Sequence, residues 1–309
     1  MLLFVRCKFA YILLNKISQI ICSISPFRTL NRRLKTYCKS IDGLRAINDD
    51  FIRYVLKKRD GIDLHANDIF TIALRGSGAD YGIVGNSDNR IYNLGLTSSD
   101  LYAAYHMYLS TLKSLPQLKN IVLFYSVSCC GLDLIKTIEK YRQVVYSYIF
   151  QFPLPHNADI NSKYVRYIQN KVDKVSKAYA TNLSNRFWGY DKKTAYMKVN
   201  ANVRIISHMR ENRREPNQLS YLKELASTIQ NDNRHLYVVL PPYRKDYLTL
   251  LPPKEILYKS LYSLDLPENT SIVDFHDSHL FSDLDFGDTD HMSSSGAEKL
   301  TNLLLEYIR

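Results

Sequence analysis

The sequence predicts an α/β protein, a three-layer α/β/α sandwich around a five-stranded, mostly parallel sheet. Five short β-rich apolar runs recur along the chain, and segments with helical periodicity separate them. The apolar runs fit strands buried on both faces by helices. A length of 309 residues with 46% hydrophobic content supplies a substantial core and excludes a disordered or collagen-like chain.

The first run, residues 69–74 (IFTIAL), leads into Arg75-Gly76-Ser77-Gly78-Ala79. The second, 90–96 (RIYNLGL), precedes a helical stretch to about residue 114, with Ser98 or Ser99 as its N-cap. The third, 120–126 (NIVLFYS), precedes a long connection with helical periodicity near 131–150, 161–180, 199–212 and 217–230. That connection reads as a helical insertion over about 131–233. The fourth strand, 235–240 (HLYVVL), stops at Pro241-Pro242, and 271–275 (SIVDF) is the fifth. A last helix over 294–308 places Ala297, Leu300, Leu304 and Ile308 on one face. The expected division is a basic amphipathic helical extension, residues 1–60, and an α/β domain, residues 61–309.

The net charge of +11 is unevenly placed. Residues 1–59 carry thirteen Lys/Arg against three Asp/Glu, so the rest of the chain is almost neutral. A nucleic-acid enzyme carries its positive field over the working cleft, so no nucleic-acid partner is expected. Residues 9–24 form an amphipathic helix followed by a basic tract at 28–39. One reading is docking of residues 1–40 on a membrane surface or a partner; the other is packing on the protein's own core. Lys8 and Lys16 interrupt the apolar run, so no spanning helix is expected. No signal-peptide pattern stands out, and the expected location is the cytoplasm, peripheral on the inner face of the membrane. Cys7, Cys22, Cys38, Cys129 and Cys130 are odd in number and contain no CxxC pair, which fits neither a disulfide framework nor a zinc site.

Ligands of open α/β sheets bind at the carboxyl ends of the strands. Ser77, between two glycines after the first strand, is a candidate nucleophile on a strand-to-helix turn. After the fifth strand, Asp288-Thr289-Asp290-His291 precedes the last helix. His291 is a candidate general base, with a carboxylate three residues earlier to orient its ring. These positions lie far apart in sequence but at the same predicted sheet end.

The order and spacing resemble the SGNH (GDSL-type) hydrolase superfamily, of which the chain would be a divergent bacterial member. Leu74-Arg75-Gly76-Ser77-Gly78 stands at the first family block, Asn93-Leu94-Gly95-Leu96 at the second, and Asp288-Thr289-Asp290-His291 followed by Met292-Ser293 at the last. The resemblance covers about residues 66–309. It implies a flavodoxin-like fold, Ser77 as nucleophile, His291 as base, and Asp288 as its orienter, with Asp290 as the alternative. It also implies oxyanion donors from the backbone N–H groups of Ser77 and Gly95. Two departures stand out: Arg75 replaces the usual glycine, and the third block's Gly-x-Asn is missing. Ser126 and Ser128 are the candidate replacements for the asparagine donor, whose loss typically costs about 10²–10³ in rate.

Asp274, His276, Asp277 and His279, with His291, offer metal-ligating atoms, but no familiar spacing; no metal and no cofactor is expected. The segment 204–214 (RIISHMRENRR) reads as a solvated helix face or as a site for phosphate or an acidic sugar. Trp188 reads as packing or as a stacking surface for a sugar. The expected function is a serine esterase or O-acyltransferase acting on an O-acylated substrate. The resemblance extends to proteins of bacterial surface-polysaccharide modification, which points to a carbohydrate. The alternatives are an inactive SGNH-fold binding or scaffold protein and a membrane-associated phospholipase.

Overall fold

In a computed structural model, the structure describes residues 47–156, 160–179, 183–191 and 200–308. The amphipathic segment 9–24, the basic tract and Cys7, Cys22 and Cys38 lie outside these residues. The five strands are β1 (Thr71–Leu74), β2 (Ile91–Leu94), β3 (Asn120–Phe124), β4 (His235–Leu240) and β5 (Thr270–Asp274). They form one sheet in the order β2-β1-β3-β4-β5, with every pair parallel. Thr71 sits in register with Ile91 on one side and Asn120 on the other. This is the flavodoxin-like order, whose topological switch point lies between β1 and β3.

In β1 to β4 side chains alternate between two cores, which explains why those runs carry no polar face; β5, at the sheet edge, buries only Val273. Ile72, Leu74, Ile121, Leu123, Leu236 and Val238 face the larger core. Ala73, Val122, Phe124, Val239 and Val273 face the smaller one. On the larger core lie residues of α1 (Asp49–Leu64), α3 (Leu101–Met107), α4 (Lys140–Ile149), α5 (Ser162–Ala178) and α7 (Leu219–Asn231). The smaller core holds residues of α2 (Gly76–Gly82) and the last helix, α11 (Ser294–Leu305). The helix α6 (Ala201–Asn212) and the short turns α8 (Lys245–Leu248), α9 (Lys254–Leu257) and α10 (Lys259–Tyr262) complete the larger side. Among the described residues no helix is long and apolar enough to cross a membrane.

Helix starts follow local capping chemistry. Asn48 accepts the Phe51 N–H at the head of α1, where Asp49 and Asp50 also suit the helix dipole. Ser293 does the same for Gly296 in α11. The cap of α3 is Asp100, not Ser98 or Ser99: its Oδ1 accepts the Ala103 N–H at 2.9 Å. Ser99 is engaged elsewhere, receiving the Gly76 N–H at 2.8 Å.

Two expected boundaries move. Helix α1 buries Ile52, Val55, Lys58 and Ile62 in the domain, so the border set at residue 60 falls inside an integral helix. Within the supposed insertion, α7 buries Leu222, Leu225, Ala226 and Ile229 in the larger core and packs on β4 and α3. It is the ordinary crossover helix between β3 and β4.

Candidate active site

The turn from β1 into α2 is sharp. Arg75 and Gly76 both take left-handed conformations, with φ of 76° and 65°, and Ser77 follows as the second residue of α2. Glycine adopts such a φ at little cost; an arginine there is strained. Gly78 keeps α2 close to the sheet, because a Cβ would approach the Phe124 ring to 3.2 Å.

The underside of α2 is fastened by a buried polar network. Lys58 Nζ reaches Asp80 Oδ1 at 2.8 Å, with side chains 3% and 1% exposed. It also donates to the backbone and side-chain oxygens of Asn93, while the Tyr54 hydroxyl donates to Asp80 Oδ2. Asn93 Nδ2 in turn donates to the carbonyls of Ala79, Asp80 and Ile83 at the end of α2. These residues hold the helix that carries Ser77, and nothing in the local sequence marks Tyr54, Lys58 or Asp80 for that task.

Opposite α2, the loop before α11 folds on itself through an antiparallel bridge between Phe286 and Met292. Asp288 Oδ1 accepts the N–H groups of Asp290 and His291. Its Oδ2 lies 2.7 Å from His291 Nδ1, with Asp288 1% and His291 7% exposed. A carboxylate oxygen accepts at this distance, which places a ring proton on Nδ1 and turns Nε2 away from Asp288. Asp288 is therefore the carboxylate that holds the His291 ring. The alternative, Asp290, makes a bidentate pair with Arg204 of α6, both contacts at 2.9 Å. Burial works to raise the Asp290 carboxyl, but His291, Arg204 and His208 outweigh it and hold it well below the usual range.

Ser77 and Tyr81 sit one turn apart on α2, and the His291 ring rests on Tyr81 with centroids 4.6 Å apart. Ser77 Oγ and His291 Nε2 are not hydrogen-bonded to each other. Nε2 instead faces Arg204 Nη2 at 3.4 Å. Catalytic hydrogen bonds often tighten only once substrate is bound.

A cavity of about 300 Å³ opens beside Ser77, at the carboxyl ends of β1 and β3. Ser77, Ser126 and Ser128 all line it, as do Arg75, Ser98, Ser99, Arg204, His208 and Asp290. Burial pushes the His208 imidazole down to about 4, leaving it neutral beside the Tyr247 hydroxyl at 2.6 Å. Gly95 does not serve as expected. Its N–H is taken up by Asn93 Oδ1 at 2.8 Å, and a Cβ there would strike the Asp80 backbone N at 2.1 Å. Gly95 permits the close approach of the β2 end to α2. Ser98, which lines the cavity after β2, takes a glycine-like backbone with φ of 61°, as Arg75 does after β1.

The other candidates resolve individually. His276 donates or accepts at the Tyr258 hydroxyl, 2.9 Å away. Asp274 and Asp277 both pair with Lys254, and His279 is exposed; these four do not converge on a metal. Among the described residues the cluster with suitable metal-ligand spacing is Asp288, Asp290 and His291. Its carboxylate oxygens already serve backbone N–H groups, His291 and Arg204, and the adjacent guanidinium opposes a cation. The segment 204–214 is more than a solvated face, since Arg204, Ser207, His208, Arg210 and Glu211 form one cavity wall. Trp188 is 4% exposed and stacks on His65 at 4.3 Å, so it packs and offers no sugar platform. Cys129 and Cys130 are buried free thiols, and burial pushes Cys129 up to about 12.

Compared with known proteins, the chain matches no family model and no curated protein.

Proposed function

We propose that the protein is a serine-dependent ester hydrolase or O-acyltransferase acting on an O-acylated substrate, with a carbohydrate as the first candidate. The observation that carries this reading is the buried Asp288–His291 pair, 2.7 Å apart, set against the helix that presents Ser77 to a cavity. Ser77 Oγ attacks the acyl carbon while His291 Nε2 takes its proton. Asp288 stays ionised and stabilises the imidazolium. His291 then returns the proton to the leaving alkoxide, and the acyl-enzyme passes its acyl group to water or to a sugar hydroxyl. Ser126 and Ser128 hydroxyls and the Ser77 and Ser98 N–H groups are the candidate oxyanion donors. For the proton transfer, Nε2 exchanges Arg204 for Ser77. The lining combines serines and arginines with Phe124, Leu132, Leu134 and Ile138, so the cavity offers polar contacts to a sugar and apolar contacts to an acyl group.

The contact between Nε2 and Arg204, in place of Ser77, is the specific observation for a second reading. In that reading the protein is a non-catalytic binding module of the same fold. Acetate release from a panel of O-acetylated sugars separates the two. The enzyme reading expects turnover that Ser77→Ala abolishes. A folded protein with no Ser77-dependent release or transfer, across substrates and pH, supports the binding module. Docking of residues 1–40 on anionic membrane belongs to this proposal and is tested by vesicle co-sedimentation with and without that segment.

A further inference from the structure

Arg75 is 3% exposed and lines the cavity beside Ser77. Its Nη1 donates to two neutral acceptors, the Phe124 carbonyl at 3.0 Å and Ser126 Oγ at 3.2 Å. Its Nε is buried without a partner. Among the described residues no carboxylate lies within ion-pair distance of it. The acids of the cavity wall are already neutralised: Asp290 by Arg204, Glu211 by Arg210 and Arg214, and Glu139 by Arg142. Asp100 feels the Arg75 charge, but its two oxygens receive the N–H groups of Ala103 and Leu134. A buried charge without a counter-ion is costly unless something supplies one. Arg75 is held here in addition at a φ that strains an arginine and suits glycine.

We infer that Arg75 makes the cavity an anion subsite, and that the ligand it accepts carries a carboxylate or phosphate group close to the bond that Ser77 attacks. The geometry fits such a group: with Nη1 held by Phe124 and Ser126 and Nε enclosed, Nη2 is the donor left for an oxyanion, and serine hydroxyls line the same cavity. Arg75 carries an anion site better than the phosphate or acidic-sugar alternative on 204–214, because Arg204 and Arg210 are paired and Arg75 is not. As a statement about substrate, this rests on the esterase reading; as a statement about binding, it does not.

The test is isothermal titration of the full chain with inorganic phosphate and with acetate, at constant ionic strength in chloride. Wild type, Arg75→Gly and Arg75→Met are compared, with thermal melting to show that each variant is folded. Glycine accepts the Arg75 backbone conformation, so that variant is expected to fold. The expected result is saturable one-to-one binding by wild type that weakens at least tenfold in both variants. A preference for phosphate points to a phosphoryl group on the substrate, and a preference for acetate to an acidic sugar. Absence of saturable binding in wild type, or equal binding in folded Arg75→Gly, overturns the inference. So does a variant that slows turnover while anion binding is unchanged, since Arg75 would then serve only the transition state. Binding without Ser77 chemistry would sink the esterase reading and leave the subsite standing.

Discussion

The two sides of helix α2 handle buried charge in opposite ways. Beneath it, Lys58 and Asp80 are both buried, paired at 2.8 Å, and surrounded by Asn93 and Tyr54. At its head, Arg75 is equally buried and meets only neutral oxygens. The closed arrangement holds the helix in place. The open one leaves interaction capacity facing a cavity next to a candidate nucleophile. A group that meets a ligand directly must keep donors or acceptors unpaired within the fold.

Perturbing the two sides should therefore separate chemistry from stability. On the open side, Asp288→Asn removes the group that fixes Nδ1–H on His291. If Ser77, His291 and Asp288 act as proposed, the rate falls about 10⁴-fold, as in catalytic triads, and steady-state kinetics alongside circular dichroism should show this with the fold retained. On the closed side, Lys58→Met strands a buried Asp80 charge. Urea denaturation should show a loss of about 3–5 kcal/mol. Should Lys58→Met prove harmless, the contrast between the two sides would collapse.

Asp100, behind the cavity, provides an intermediate case. Burial raises its pKa from 3.8 to about 6 against the help of two N–H donors. The folded state thus holds a proton that the unfolded chain has released, and the group favours folding only at low pH. As pH rises from about 4 to about 6, wild type should lose stability relative to Asp100→Asn, by on the order of 3 kcal/mol in all, and remain level above that window. A parallel pair of stability–pH curves would contradict it. The smallest effect is expected for the stability of Arg75→Gly. Relief of a strained φ and of an uncompensated buried charge opposes the loss of hydrogen bonds to Phe124 and Ser126 and of the buried side chain's packing, leaving a net change within about 1 kcal/mol by chemical denaturation.

Much of the fold is legible along the chain because it rests on local patterns. The run 235–240 coincides with β4, and the other four runs overlap β1, β2, β3 and β5 within a few residues. Ser77 and the Asp288/His291 pair are legible because a tight strand-to-helix turn and a three-residue spacing are local. Lys58, Asn93 and Arg204 are not, since their partners lie far away; Arg204 meets His291 across a separation of 87 residues. Gly95 misled for a related reason. A glycine can serve either a left-handed turn or a close approach, and the letter does not say which. Here the close approach belongs to Gly95 and the left-handed turn to Ser98. Arg75 was visible as a departure from the family pattern, but its lack of a counter-ion required the surrounding carboxylates to be placed.

The claim that Ser77 is a nucleophile served by His291 is tested most directly by intact-mass analysis after reaction with a fluorophosphonate. A single adduct on Ser77 is predicted, absent in Ser77→Ala and formed far more slowly in His291→Ala. No adduct on the folded wild-type protein, or an adduct that survives Ser77→Ala, would contradict it.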